Sequence, residues 1–134
     1  SHLRGTNCRV FSGNMKIHIA KLEIFYYPDV SVTCDPMDTD RYFKKYPKLL
    51  VEVLSPGTER IDRNEKLINY RQLDSLEEYV LVSQSAKTVE VYRRDGSGNW
   101  AVDTRNNDDQ LILTSVGLML AMDDIYEDVE LPSE

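Results

Sequence analysis

The sequence predicts a mixed α/β fold: a mixed β-sheet domain in which one helix crosses between central strands. Three observations carry this reading. Short apolar runs of strand character recur between turn signals along most of the chain. One of them, Leu49 to Leu54, is nearly continuous, as in a strand buried on both faces. A single stretch, Thr58 to Leu73, repeats its apolar residues at helical spacing, and it lies between that run and the next, Tyr79 to Ser83. Strand, helix and strand in that order imply a crossover joining parallel neighbours within a mixed sheet.

From the N-terminus, Cys8 to Ser12 reads as a short strand, Gly13-Asn14 as a turn, and Met15 to Ala20 as an alternating strand that pairs back in a hairpin. A third extended piece runs from Leu22 to Tyr27 and ends at Pro28. Asp29 to Cys34 alternates strictly, with Val30, Val32 and Cys34 on one face and Asp29, Ser31 and Thr33 on the other. Asp35 to Lys48 is polar and carries two prolines, a loop with room for a helical turn near Arg41 to Lys45. In the helical stretch Leu67, Tyr70 and Leu73 share a face, and Asp62 with Glu65 resembles a capping box. Thr88 to Arg94, a turn at Asp95 to Asn99, and Trp100 to Thr104 form an edge hairpin. Gln110 to Met122 is extended, and Met122 to Val129 closes as a short helix.

At 134 residues the chain suits one domain, residues 1–134, with one core. No apolar run nears the roughly 20 residues that span a bilayer. The chain begins Ser1-His2-Leu3, which reads as a cropped, processed or tag-joined start, and it shows no signal peptide. Cys8 and Cys34 fit neither a disulfide framework nor a zinc spacing; reduced thiols in a cytoplasmic protein are the plain reading, and a single disulfide is the alternative that nothing in the sequence asks for. The net charge of −7 opposes phosphate binding overall. Acids gather at the C-terminus, however, and bases cluster at Arg41, Lys44, Lys45 and Lys48, at Arg60, Arg63, Lys66 and Arg71, and at Arg93 and Arg94. A local basic face is compatible with that distribution, as is ordinary solvated charge.

Glu52 is the most informative residue, because it interrupts a run that belongs in a core. An uncompensated carboxylate there costs several kcal/mol or shifts its pKa. Its partner is either a basic side chain or a cation. Asp29, at a strand start after Pro28, supplies a second carboxylate. Two carboxylates from adjacent strands, a backbone carbonyl near Val53 and waters suit Mg²⁺, or Mn²⁺ in its place. Lys66 lies one turn from both Asp62 and Tyr70. Taken alone it is an ion-pair partner of Asp62; beside a metal site it would stabilise charge on a phosphorane-like transition state. No nucleophile elbow, Walker loop or dinucleotide fingerprint occurs, and His2 and His18 have no ligand spacing.

Tyr27-Pro28-Asp29-Val30-Ser31-Val32, then Leu50-Val51-Glu52-Val53-Leu54-Ser55-Pro56-Gly57-Thr58, resembles the Uma2 family (DUF820), bacterial proteins abundant in cyanobacteria. The likeness continues through Asp62-Arg63-Asn64-Glu65-Lys66-Leu67, Tyr70-Arg71 and Leu76 to Val82. That family is similar to the PD-(D/E)xK nucleases. The resemblance therefore implies a restriction endonuclease-like fold and a Mg²⁺-dependent endonuclease acting on DNA. Asp29 and Glu52 would hold the metal with Val53, and Asp29, Glu52 and Lys66 would form the catalytic set. Leu54 stands where the commonest superfamily pattern has its lysine, so Lys66 on the following helix is the residue offered in its place. Family members usually carry a helix and hairpin before the segment resembling Leu3 to Thr6, which implies an N-terminally incomplete domain lacking that helix. An apolar sheet face would then be left for a second copy of the chain to cover. The alternative function is a catalytically inactive nuclease-like module that binds nucleic acid or protein.

Overall fold

The computed structural model describes residues 6–127 and Leu131. In chain order its strands are β1 (Arg9–Ser12), β2 (Lys16–Ile19), β3 (Ile24–Tyr26), β4 (Val30–Thr33), β5 (Phe43–Lys44) and β6 (Pro47–Val53). Two short helices follow, α1 (Glu59–Arg63) and α2 (Glu65–Tyr70). Then come β7 (Glu78–Val82), β8 (Thr88–Arg94), β9 (Trp100–Asn106), β10 (Gln110–Leu113), β11 (Leu118–Ala121) and α3 (Met122–Ile125). The fold is a mixed α+β architecture built on a six-stranded sheet of order β1-β4-β6-β7-β8-β9. Only β6 and β7 run parallel in it, and α1 and α2 make the crossover between them. The apolar run at Leu49 thus occupies the central position expected of it.

Strand alternation sorts the core into two layers. Leu50 and Leu54 face the helices and pack with Leu67, Tyr70, Leu73, Tyr79 and Leu81. Leu49 and Val51 face the other way, toward Val80, Val89 and Val91, where β10 supplies Leu111 and Leu113, β11 supplies Leu118 and Leu120, and α3 supplies Met122. The apolar face expected to await a second subunit is therefore covered by the chain's own residues 111–126. Among the described residues no helix is long and apolar enough to cross a membrane.

Several local expectations are corrected. β1 does not pair with β2; it lies antiparallel to β4, while β2 joins β3 and β5 in a separate three-stranded sheet. A turn still follows β1, closed by the Met15 amide on the Ser12 carbonyl, but the chain leaves it toward a different sheet. The true hairpin is β2–β3, turning through a 3₁₀ segment with Glu23 in the left-handed region at φ 54°. The loop before β6 holds a strand, β5, in place of a helical turn. Asp38 organises that loop: its carboxylate accepts the Lys45 and Tyr46 amides and the Thr33 hydroxyl. The crossover helix is broken at Asn64 (φ −117°, ψ −79°), and Asp62 is buried inside α1 with no capping hydrogen bond from its side chain.

Cys8 and Cys34 are disulfide-bonded, against the expectation of reduced thiols. The β1–β4 register explains it. Arg9 opposes Thr33, so one further step places Cys8 opposite Cys34. A sequence reading that pairs residues 8–12 with 15–20 has no means of bringing the two cysteines together. The segment Ser1 to Leu3, read as the tail of a preceding helix, lies outside the described residues, as does the end of the C-terminal helix expected to reach Val129.

Candidate metal and active site

The candidate site forms where β4 and β6 part. Val30 opposes Val51 in their antiparallel register, and one more step puts Asp29 opposite Glu52. There the ladder is completed by side chains. The Asp29 amide donates to Glu52 Oε1 at 3.2 Å, and the Val53 amide donates to Asp29 Oδ2 at 2.6 Å. In an extended strand a residue's N–H and C=O leave on the same side. The Val53 carbonyl therefore lies on the edge that faces Asp29. Asp29 is exposed, whereas Glu52 is only 3% exposed and shares the helix-facing layer with Leu50 and Leu54.

The broken crossover delivers the third residue. Lys66 leads α2 back over the sheet and places Nζ 2.9 Å from Glu52 Oε2 and 3.1 Å from Asp62 Oδ1. The i, i+4 pair with Asp62 that the sequence offers for Lys66 is formed, and a second ion pair, to Glu52, stands beside it. The aromatic side of the site is Tyr70, whose hydroxyl is 3.4 Å from Glu52 Oε2, and Tyr26, whose ring centroid lies 5.4 Å from Lys66 Nζ. Asn69 and Glu65 hold the Tyr26 hydroxyl. Tyr79 donates to the Asp62 carbonyl at 3.0 Å and so fixes the end of α1.

Burial dominates the electrostatics. Desolvation pushes the Glu52 carboxyl above its usual range; the Lys66 ammonium and the Asp29 amide pull it back, and the charge of Asp62 adds to the rise. For Lys66, burial acts against the charged form, but the hydrogen bonds and charges of Glu52 and Asp62 outweigh it, leaving its pKa raised. Tyr70 is driven far up by burial and by the neighbouring Glu52 charge, so its hydroxyl stays protonated and can only donate to that acid.

Asp29, Glu52, Val53 and Lys66 thus stand in one contact chain. Asp62 and Tyr70 belong beside them and were not chosen from sequence as site residues. The available signal was periodicity: Asp62, Lys66 and Tyr70 are successive i, i+4 positions. The basic clusters fare differently. Lys44 is buried, donating to the Asp38 and Asp40 carbonyls; Arg63 pairs with Glu59 and Glu90; Arg94 donates to the Arg71, Leu73 and Asp74 carbonyls. These three side chains brace the fold.

The donor set has a definite chemical bias. Among the described residues no group of three or more His, Cys, Asp or Glu side chains converges as a metal cage. Two carboxylates, one of them exposed, suit an ion that takes few protein oxygens and keeps its waters, and they do not suit a closed structural zinc site.

The sequence matches the model of the Uma2 family, described as "Putative restriction endonuclease", over residues 1–123. It is 40% identical over 127 residues to the uncharacterized protein slr1290 of Synechocystis sp. (strain ATCC 27184 / PCC 6803 / Kazusa), covering 94% of this chain and 67% of that one. A second protein of that strain, the uncharacterized sll1609, is 34% identical over 94 residues, 68% of this chain and 53% of its own length. The fold superposes with a TM-score of 0.74 on the crystal structure of a putative nuclease belonging to DUF820 from Anabaena variabilis ATCC 29413. That match covers 95% of this chain and 72% of the other at 16% identity, a likeness of fold.

Proposed function

The chain belongs to the Uma2 family of restriction endonuclease-like proteins, and we propose that it is a Mg²⁺-dependent endonuclease hydrolysing DNA phosphodiester bonds at Asp29 and Glu52. One observation carries this reading. Two buried carboxylates, Glu52 and Asp62, share the single ammonium of Lys66, and Asp29 adds a third acid one hydrogen bond away. The cluster sets three carboxyl groups against one ammonium, and a buried carboxylate is retained where it pairs or binds a cation.

Asp29, Glu52 and the Val53 carbonyl would hold Mg²⁺, or Mn²⁺ in its place. A divalent ion bound there supplies a Lewis acid and an acidified water. Lys66 would offset charge that develops on the phosphate oxygens. Asp62 and Tyr70 are positioning residues: Asp62 anchors the ammonium from α1, and Tyr70 donates to the acid that the ammonium also contacts.

Calorimetric titration of Mn²⁺ should show binding to the wild-type chain and none to Asp29→Ala. Plasmid nicking should disappear in Asp29→Ala/Glu52→Ala, and nicking that persists in the double variant sinks the assignment. A second reading, an inactive nuclease-like module that binds nucleic acid or protein, is favoured by the Lys66–Glu52 ion pair, which gives the buried acid a partner without any metal. Wild-type protein that takes up no Mn²⁺ decides for that module.

A further inference from the structure

The outward face of the small sheet carries a feature that the candidate site does not use. Ile17, Ile19 and Tyr26 point inward from β2 and β3 to the core. Alternation turns Lys16, His18 and Phe25 outward, and Phe43 of β5 joins them. His18 lies directly opposite Phe25, their rings stacked at 4.3 Å between centroids and 7° between planes. Phe43 stands edge-on to both, at 5.3 Å and 5.9 Å. Lys16 Nζ lies 5.1 Å from the Phe25 ring centroid, and Lys45 Nζ lies 5.8 Å from that of Phe43. Phe25 is 45% exposed. His18 Nδ1 is buried and, among the described residues, has no hydrogen-bond partner, so the ring is held by its packing on Phe25 and Phe43.

Charge separates this patch from the rest of the molecule. The chain has 23 acidic residues and a net charge of −7, yet β2, β3 and β5 contain no Asp or Glu. The face continues into a groove of about 220 Å³ lined by His18, Lys45 and Tyr46, whose one acid, Asp74, is paired with Lys21. Aromatic faces flanked by lysines match the two features of a nucleic-acid strand with unpaired bases: planar π surfaces and a phosphate backbone. A duplex hides the first of these. The patch also adjoins the candidate site. Tyr26, next in sequence to Phe25, lies under Lys66 from the opposite face of β3, and Asp29 is four residues from Phe25, roughly 14 Å at full extension.

The geometry points to a base-stacking platform, in which His18, Phe25 and Phe43 with Lys16 and Lys45 bind single-stranded nucleic acid and present it toward Asp29. Presentation toward Asp29 rests on the nuclease reading above; the binding does not. The test is fluorescence anisotropy of a labelled dT15 strand and of its dA15 duplex, with metal omitted, using the full chain. The single strand should bind more tightly than the duplex. His18→Ala and Phe25→Ala should each weaken it roughly 5- to 150-fold, the range for loss of one stacked base. Phe25→Tyr should retain binding, which guards against a folding artefact. Lys16→Gln/Lys45→Gln keeps the rings and should flatten the salt dependence by about 0.7 in log–log slope for each phosphate that a lysine no longer neutralises. Glu52→Gln should still bind the strand, so a failed platform and a failed metal site give different results. Equal binding by wild type and Phe25→Ala, preference for the duplex, or no binding at all overturns the proposal. So does sedimentation showing that the wild-type chain self-associates through this face and that Phe25→Ala abolishes it.

Discussion

Glu52 shows how a single side chain can be read from sequence and still be incompletely understood. An acid within Leu-Leu-Val-Glu-Val-Leu had to have a partner, and it has three: Lys66, Tyr70 and the Asp29 amide. The requirement was legible because burying a charge costs several kcal/mol, more than the burial of one leucine returns. The partners depend on where a helix lands, which no local pattern states; helical spacing pairs Lys66 with Asp62, and the family likeness is what offers Lys66 to the Glu52 site. The doubly paired ammonium has a testable consequence. Lys66→Met leaves Glu52 and Asp62 buried without a counter-charge and should destabilise the metal-free protein by about 3 kcal/mol. The same variant should bind Mn²⁺ more tightly than wild type while losing nicking activity; urea midpoints with and without Mn²⁺ and calorimetry read both effects. The Glu52 pKa gives a pH dependence of known sign. Its folded value lies above the ordinary 4.5, so the folded state holds a proton that the unfolded chain has released. Stability from that proton is complete below 4.5 and is lost as pH rises through the folded value. A cation competes for the same oxygens. Mn²⁺ affinity should therefore climb as pH rises through the raised folded value of Glu52, with proton release detectable as a buffer-dependent heat of binding.

Elements were legible where they run long and alternate, and illegible where pairing is chosen at a distance. β6, β7, β8 and β9 each overlap the segment expected for them, since continuous apolar runs and a clear turn mark their ends. β1 and β2 are recognisable as strands but not as members of different sheets, because proximity in sequence favours a hairpin and nothing local reveals that β1 completes the sheet beyond β4. The crossover reads as one helix through Asn64, whose backbone breaks it into two short ones. On the opposite sheet face the β10–β11 hairpin is secured by Glu78, which is fully buried in β7 and accepts the Ser115 amide at 2.8 Å and Arg93 Nε at 2.8 Å. Arg93 also donates to the Ile112 carbonyl at 2.7 Å. Glu78→Ala should cost about 3–5 kcal/mol, because it removes the buried carboxylate paired with Arg93 and leaves the Ser115 amide without its acceptor. Hydrogen exchange should accelerate first at Ser115, with β6 and β7 retaining protection until global unfolding.

At the scale of the whole molecule the disulfide and the candidate site occupy opposite ends of β4: Cys34 follows its last residue and Asp29 precedes its first. The bridge spans a sequence separation of 26, and closing a loop of that size stabilises the folded state by about 3–4 kcal/mol in the chain-entropy account. Reduction should lower the urea midpoint accordingly while leaving Mn²⁺ affinity per folded molecule unchanged, a separation that calorimetry on oxidised and reduced protein measures. Burial of the central strand on both faces was legible at this scale, because Leu49 to Leu54 is nearly continuous in apolar residues. The covering of the second layer by residues 111–126 was not, because extended apolar sequence at Gln110 to Met122 does not say which surface it will seek. One consequence of the bridge concerns the integrity of the polypeptide. The covalent ring from Cys8 to Cys34 contains β2, β3 and Asp29, and one of its exposed points is the turn at Gly13-Asn14. A protease cut there leaves β1 tethered to β4 through sulfur, so the strand order, the small sheet and the acid at its exit stay on one molecule, and the nick is visible only after reduction.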